Sequence, residues 1–147
     1  MENIFDKAKE AFEKITEGVN DFIQMDKAEV IQEFKNSTKE KANAILDEVT
    51  NLSEHMIKSG FELIDINTSL GLPPTFSLTY HFLNDVSEED RKNILDENKD
   101  KKITTIILKT LFKSATYAKS LKLGSFKLNE VNIQLGLLPE VGVKFRK

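Results

Sequence analysis

The sequence contains no cysteine and no tryptophan, and it has 3 prolines and 6 glycines in 147 residues. Without cysteine, disulfides, zinc–thiolate sites and thiol nucleophiles are excluded. No stretch approaches the ~20 consecutive apolar residues of a membrane span. Phosphate-binding glycine loops, HExxH and GxSxG motifs are also missing. We therefore expect neither an integral membrane protein nor a member of these enzyme classes.

Charge is present in both signs but is unevenly distributed. Residues 1–100 hold 22 acids and 11 bases, whereas residues 101–147 hold 2 acids and 10 bases. We expect these parts to attract each other within one fold or between copies; a basic face for an anionic partner is the alternative. Acids and lysines recur every few residues at the N-terminus, which argues against a signal peptide and leaves a cytoplasmic location as the expectation.

The clearest pattern is an internal repeat. The segment FELIDINTSLGLPPTFSLTYHF begins at Phe61, and FKLNEVNIQLGLLPEVGVKFRK begins at Phe126, so the two align without a gap at an offset of 65 residues. The first copy contributes seven residues that are identical in the second: Phe61, Leu63, Asn67, Leu70, Gly71, Leu72 and Pro74. A fixed offset with a shared turn predicts a duplicated structural unit. We expect its two copies to superpose by a pseudo-two-fold rotation.

Each copy is predicted to form a β-hairpin, because apolar and polar residues alternate on both sides of a turn rich in Gly and Pro. The predicted inward residues of the first hairpin are Ile64, Ile66, Thr68, Leu70, Phe76, Leu78, Tyr80 and Phe82. Those of the second are Val131, Ile133, Leu135, Val141, Val143 and Phe145. The outermost strands are expected to remain free edges.

Helices are predicted elsewhere from the 3.6-residue apolar period. An amphipathic helix is expected over about 4–23, a second from Asp26 to Gly60, a short acidic one after Ser87, and a last one over 103–122. The predicted fold is α+β: one domain over 1–147, with an N-terminal helix (1–25) and two helix–hairpin repeats (26–83 and 84–147). Their hairpins form a four-stranded antiparallel sheet with helices on one face.

Polar residues of the strands define a candidate interaction face on the outer side of this sheet. If Leu70 pairs with Phe76, Asp65 lies opposite His81, and the equivalent pairing in the second hairpin places Glu130 opposite Arg146. An Asp–His pair can orient a general base, but its counterpart is an ordinary ion pair and no nucleophile is indicated nearby. We expect no catalytic residue. The candidate face comprises Asp65, Asn67, Thr79, His81, Glu130, Asn132, Lys144 and Arg146.

Three other patterns are weaker. Asp96–Ile103 resembles part of an EF-hand loop but lacks its turn glycine and its bidentate glutamate, so no metal site is expected. Lys102, Lys109 and Lys113 form a basic stripe without any RNA-binding signature, and nucleic-acid binding is not expected. The apolar stripe over 4–23 is expected to pack on the domain or on a partner, and contact with a membrane surface stays open.

These observations favour a binding or assembly module without enzymatic activity, which acts through protein–protein contacts, including self-association. The alternative is a carrier that holds an apolar small molecule or lipid between the helices and the sheet. Neither hypothesis requires a cofactor.

Overall fold

Five helices and four strands make up the described part of the computed structural model, which covers residues 25–35, 38–69, 71 and 73–147. The predicted N-terminal helix lies outside these residues. In chain order, the elements are α1 (Lys27–Lys35), α2 (Lys39–Asn51), α3 (Ser53–Lys58), β1 (Phe61–Ser69), β2 (Thr75–Phe82), α4 (Glu88–Glu97), α5 (Lys102–Ser120), β3 (Lys127–Leu135) and β4 (Glu140–Arg146).

Short polar side chains start three of the helices, as capping requires. Asp26 Oδ1 accepts a hydrogen bond from the Glu29 amide at 3.2 Å, and Ser87 Oγ accepts one from the Asp90 amide at 3.2 Å. Both starts confirm the sequence prediction. The continuous helix predicted from Asp26 to Gly60 is wrong, because Thr38 caps a new helix by accepting from the Lys41 amide.

The four strands form one antiparallel sheet in the order β1-β2-β3-β4, which confirms the predicted α+β class and sheet. In this order β1 and β3 run in the same direction, two strands apart. The hairpins are therefore related by a shift across the sheet together with its twist. The pseudo-two-fold rotation that we expected between the two units is wrong.

The two hairpins share one register. Ser69 pairs with Thr75 in the first and Gln134 with Glu140 in the second, so equivalent residues again differ by 65. Each hairpin also has one unpaired residue at the same offset, Ile64 in β1 and Asn129 in β3. These are β-bulges, and each one reverses the face to which the preceding residues of its strand point.

The bulge corrects the inward set predicted for β1. Phe61 is buried and Leu63 half-buried, whereas Ile64 at the bulge is exposed. Thr68 lies opposite Phe76 but is exposed, and Leu70 lies outside the described residues. The predicted inward residues of β2 are buried or half-buried. Those of β3 are buried, and those of β4 are half-buried.

The core lies between the apolar face of the sheet and the helices. All five described helices contribute side chains to it, with α5 supplying the most. Phe34 of α1 meets Phe76 of β2 edge-to-face, with their ring centroids 5.8 Å apart. Each such side chain contributes ~1.5–3 kcal/mol when it is fully buried. None of the described helices is long and apolar enough to cross a membrane.

Gly60 joins the helical layer to β1 at a position that requires glycine. Its φ is +89°, and a Cβ atom there would overlap the carbonyl oxygen of Asn84. The Leu83 amide donates to the Gly60 carbonyl at 2.8 Å, which fixes the start of β1 beside the end of β2. Both the backbone conformation and this close approach exclude a side chain.

Candidate interaction surface

The outer face of the sheet consists of polar side chains arranged in rows across the strands. All eight candidate residues belong to the polar set on this side of the sheet, opposite the core. One row contains Asn67, Ser77, Gln134 and Glu140, the next Asp65, Thr79, Asn132 and Gly142, and the third Glu62, His81, Glu130 and Lys144. Lys127 and Arg146 follow beyond the bulge of β3.

Within this face the two predicted acid–base pairs are wrong. Asp65 lies opposite Thr79, and His81 lies between Glu62 of β1 and Glu130 of β3. Glu130 in turn lies opposite Lys144. The turns close at Ser69–Thr75 and Gln134–Glu140, and the bulges shift the register by one further residue.

Asn132 links the two central strands of the face through side-chain hydrogen bonds. Its amide nitrogen donates to Ser77 Oγ and to Thr79 Oγ1, at 3.0 Å each. The Ser77 hydroxyl can also donate to Asn132 Oδ1, at 3.4 Å. The two central strands are thus joined by side chains as well as by their backbones, which gives this part of the surface a fixed pattern of donors and acceptors.

Charge changes sign across the face. Glu62 and Asp65 of β1 make one edge acidic, whereas Lys144 and Arg146 of β4, with Lys127 of β3 beside them, make the other edge basic. Glu62 and Asp65 therefore lie at the opposite edge of the sheet from Lys144 and Arg146.

The uneven distribution of charge along the chain is also visible in ion pairs within the fold. Lys102 Nζ lies 3.2 Å from Glu29 and 3.3 Å from Glu33. Hydrogen bonds to these two carboxylates, first to Glu29, raise the pKa of Lys102. Lys119 also pairs with Asp85. Part of the predicted attraction between the two parts therefore acts inside one copy.

The sequence prediction missed five polar members of the outer face: Glu62, Ser77, Lys127, Gln134 and Glu140. Ser77 alternates with Thr79 and His81 on one strand, and that period of two was a sufficient signal for it. Glu62 and Lys127 lie before the bulges, so the simple alternation assigns them to the core face of the sheet. Ile64 carries no sequence signal that distinguishes it from an inward strand residue.

His81 is the histidine of the outer face, and it lies between Glu62 and Glu130. His81 is half-buried on an open sheet surface. Among the described residues, no group of three or more His, Asp or Glu side chains could hold a metal ion. In the EF-hand-like segment, Asn98 is buried, and its amide donates to the Ile94 carbonyl at 2.8 Å. This side chain therefore closes α4 instead of facing a cation.

Two grooves lie away from this face. One of about 640 Å³ runs beside α5 and is lined by Met25, Ile106 and the basic stripe Lys102, Lys109 and Lys113. The other, of about 410 Å³, lies between α2 and the turn of the first hairpin, against Ala42, Leu46 and Phe76. Comparison of the chain with protein-family models, curated proteins and solved structures gives no match.

Proposed function

We propose that the protein is a binding or assembly module without enzymatic activity, which acts through the outer face of its sheet. The observation that supports this most is the hydrogen-bonded polar surface around Asn132. Its side chains are half-buried, whereas the helices cover the other side of the sheet. The partner that fits is a polar protein surface with bases opposite Glu62 and Asp65 and acids opposite Lys144 and Arg146. The expected location, the cytoplasm, rests on composition alone.

We further propose that the two helix–hairpin units arose by duplication. The sequence offset, the equal pairing of both turns and the equivalent bulges Ile64 and Asn129 support this. If one unit was copied, its cross-strand residue pairs should recur in the other unit at a constant offset. Without duplication, this agreement would be a coincidence. Duplication accounts for the two chemically different edges: each copy has diverged on its own outer strand.

The test compares the proteins that three purified forms of the full chain capture when each is used as bait. The three forms are wild type, Thr79→Arg and Ser125→Arg. Thr79 lies in the middle of the outer face, whereas Ser125 is exposed in the loop before β3 and serves as the control. The account predicts a protein that is retained by wild type and by Ser125→Arg but lost with Thr79→Arg. The same protein, once purified, should bind at least about tenfold more weakly to Thr79→Arg.

Equal retention by all three forms would place the partner elsewhere. Absence of any retained protein, together with absence of self-association, would contradict the module itself.

The carrier hypothesis has one observation in its favour, the groove of about 410 Å³ beside α2. Its lining includes the side chains of Ala42, Leu46 and Phe76. Ligand pockets of drug-sized molecules begin at ~300 Å³, so a short apolar chain would fit. Native mass spectrometry of the purified protein decides this point: a retained small molecule that is lost in Ala42→Phe supports the carrier, and a bare chain mass excludes it.

A further inference from the structure

The free edge of β4 differs from the free edge of β1 in its regularity. β1 itself carries the bulge residue Ile64, whereas the bulge of the second hairpin lies on β3, at Asn129. Bulges on an outer strand interrupt the row of backbone groups that another chain would pair with. β4 has no such interruption between Glu140 and Arg146 and is therefore the better template for strand addition.

The core side of β4 is also incompletely covered. Val141, Val143 and Phe145 are half-buried, although the equivalent residues of β2, Phe76, Leu78 and Tyr80, are buried. Among the described elements, α5 contacts this strip through Tyr117, which packs against Val141 and Val143. A further strand beside β4 would remove more of this apolar surface from water.

The charges at the end of β4 are unbalanced within one copy. Arg146 lies directly opposite Lys127, a like-charge pair that destabilises a sheet. Within the described part of the chain, no carboxylate lies within ion-pair distance of Arg146. An acid supplied from outside the copy would compensate this pair.

We propose that two copies of this chain pair through β4 in antiparallel orientation, centred on Val143. This register uses the whole strand from Glu140 to Arg146 and keeps apolar residues on the core side. It places Glu140 of each copy opposite Arg146 of the other, beside Lys127. The result is a closed two-fold dimer with one continuous eight-stranded sheet. The inference rests on the proposed function, since it names a second copy as a partner.

Self-pairing of β1 is disfavoured by the same reasoning. Its two charged residues, Glu62 and Asp65, are both acidic, so every antiparallel self-pairing brings acids towards acids. Pairing of β1 with β4 of another copy would bring the acids of β1 towards the bases of β4. This head-to-tail arrangement leaves one free edge at each end, so it would continue into open chains. The experiment separates these arrangements.

The test is sedimentation equilibrium of the full chain in wild type, Glu140→Arg, Arg146→Glu and the double variant Glu140→Arg/Arg146→Glu. Each single reversal places like charges together twice in the dimer and should raise the dimer Kd at least about tenfold. The double variant restores both pairs and should regain an affinity within about threefold of wild type. The control Glu62→Arg changes the opposite edge and should leave the Kd unchanged.

A monomeric wild type over the whole micromolar range would overturn the proposal, as would a double variant that fails to recover. Growth into larger species that Glu62→Arg abolishes would show the β1–β4 arrangement instead. Thermal unfolding at low concentration checks the fold, and Arg146→Glu should not destabilise the monomer because it removes the like-charge pair with Lys127. Thr79→Arg leaves this seam intact, so a failed outer-face partner and a failed dimer are separate results.

Discussion

The two hairpins pair in the same way but are covered differently by the helices. Phe61 and Phe126 occupy equivalent positions, yet Phe61 is 1% exposed and Phe126 is 49% exposed. Phe61 packs edge-to-face on Phe82, with ring centroids 5.4 Å apart, and the end of α3 lies just before it. Before Phe126, in contrast, α5 already ends at Ser120 and the chain turns at Gly124. Strand sequence thus determines pairing, while burial depends on the elements that precede each strand.

The two free edges of the sheet, β1 and β4, also differ. The outer strand of the first hairpin has acids and a bulge, and that of the second has both charges and a regular backbone. If the units are copies, their divergence has left one edge protected and the other open.

The largest expected effect is at the equivalent phenylalanines. Phe61→Ala empties a buried site and should lower the free energy of unfolding by ~3–5 kcal/mol, whereas Phe126→Ala should cost less than ~1 kcal/mol. Urea denaturation of both variants measures the difference. Equal losses would mean that the two hairpins are covered alike.

The second-largest difference in stability is expected between substitutions of the two glycines that precede the hairpins. Gly60→Ala combines a φ of +89° with a clash against the Asn84 carbonyl and should cost on the order of 3 kcal/mol. Gly124 has a φ of +64° but open space around it, so Gly124→Ala should cost about 1–2 kcal/mol. Thermal unfolding of the two variants gives the order, and a more costly Gly124→Ala would contradict it.

On the outer face, Asn132 should matter more than His81. Asn132→Ala removes hydrogen bonds to Ser77 and Thr79 and should cost ~1 kcal/mol or slightly more. His81→Ala should cost less than ~1 kcal/mol and leave the fold intact, because cross-strand charge pairs on an open surface contribute little. Chemical denaturation compares them. A larger loss at His81 would assign it a role that an open sheet does not supply.

The smallest effect is expected at Tyr80, whose equivalent in the second hairpin is Phe145. Tyr80 is fully buried, and its hydroxyl has no hydrogen-bond partner among the described residues. Tyr80→Phe gives the first hairpin the same residue that the second hairpin has at this position. It should leave stability unchanged or raise it by ~1 kcal/mol, because an unsatisfied polar group is removed.

The pH dependence of this variant has a definite sign. Burial raises the pKa of Tyr80 above its ordinary value of 10.0, so the folded protein keeps a proton that the unfolded chain loses. Stability from this group is present below about pH 10 and is lost as the pH rises further. Tyr80→Phe should therefore lose less stability than wild type between pH 9 and 11. An identical alkaline decline in both proteins would show that Tyr80 is not the titrating group.

The sequence predicted those features that depend on local alternation and capping. The period of two at Phe76, Leu78 and Tyr80 and the caps at Asp26 and Ser87 are local, and the structure confirms them. The bulges could not be predicted, because Ile64 has the side chain of an inward strand residue and its exposure depends on the pairing of β2. The partners of His81 depend on the residues at which the first turn closes, on the bulge in β1 and on the strand order, and the last two are non-local.

Hydrogen–deuterium exchange of the full chain at low and high concentration tests the central claim, that this protein assembles through the free edge of β4. The account predicts that backbone amides of β4, Glu140–Arg146, become at least about tenfold better protected as concentration rises, while those of β1, Phe61–Ser69, keep the same exchange rates. Equal exchange of β4 at all concentrations, or protection that appears on β1 instead, would contradict it.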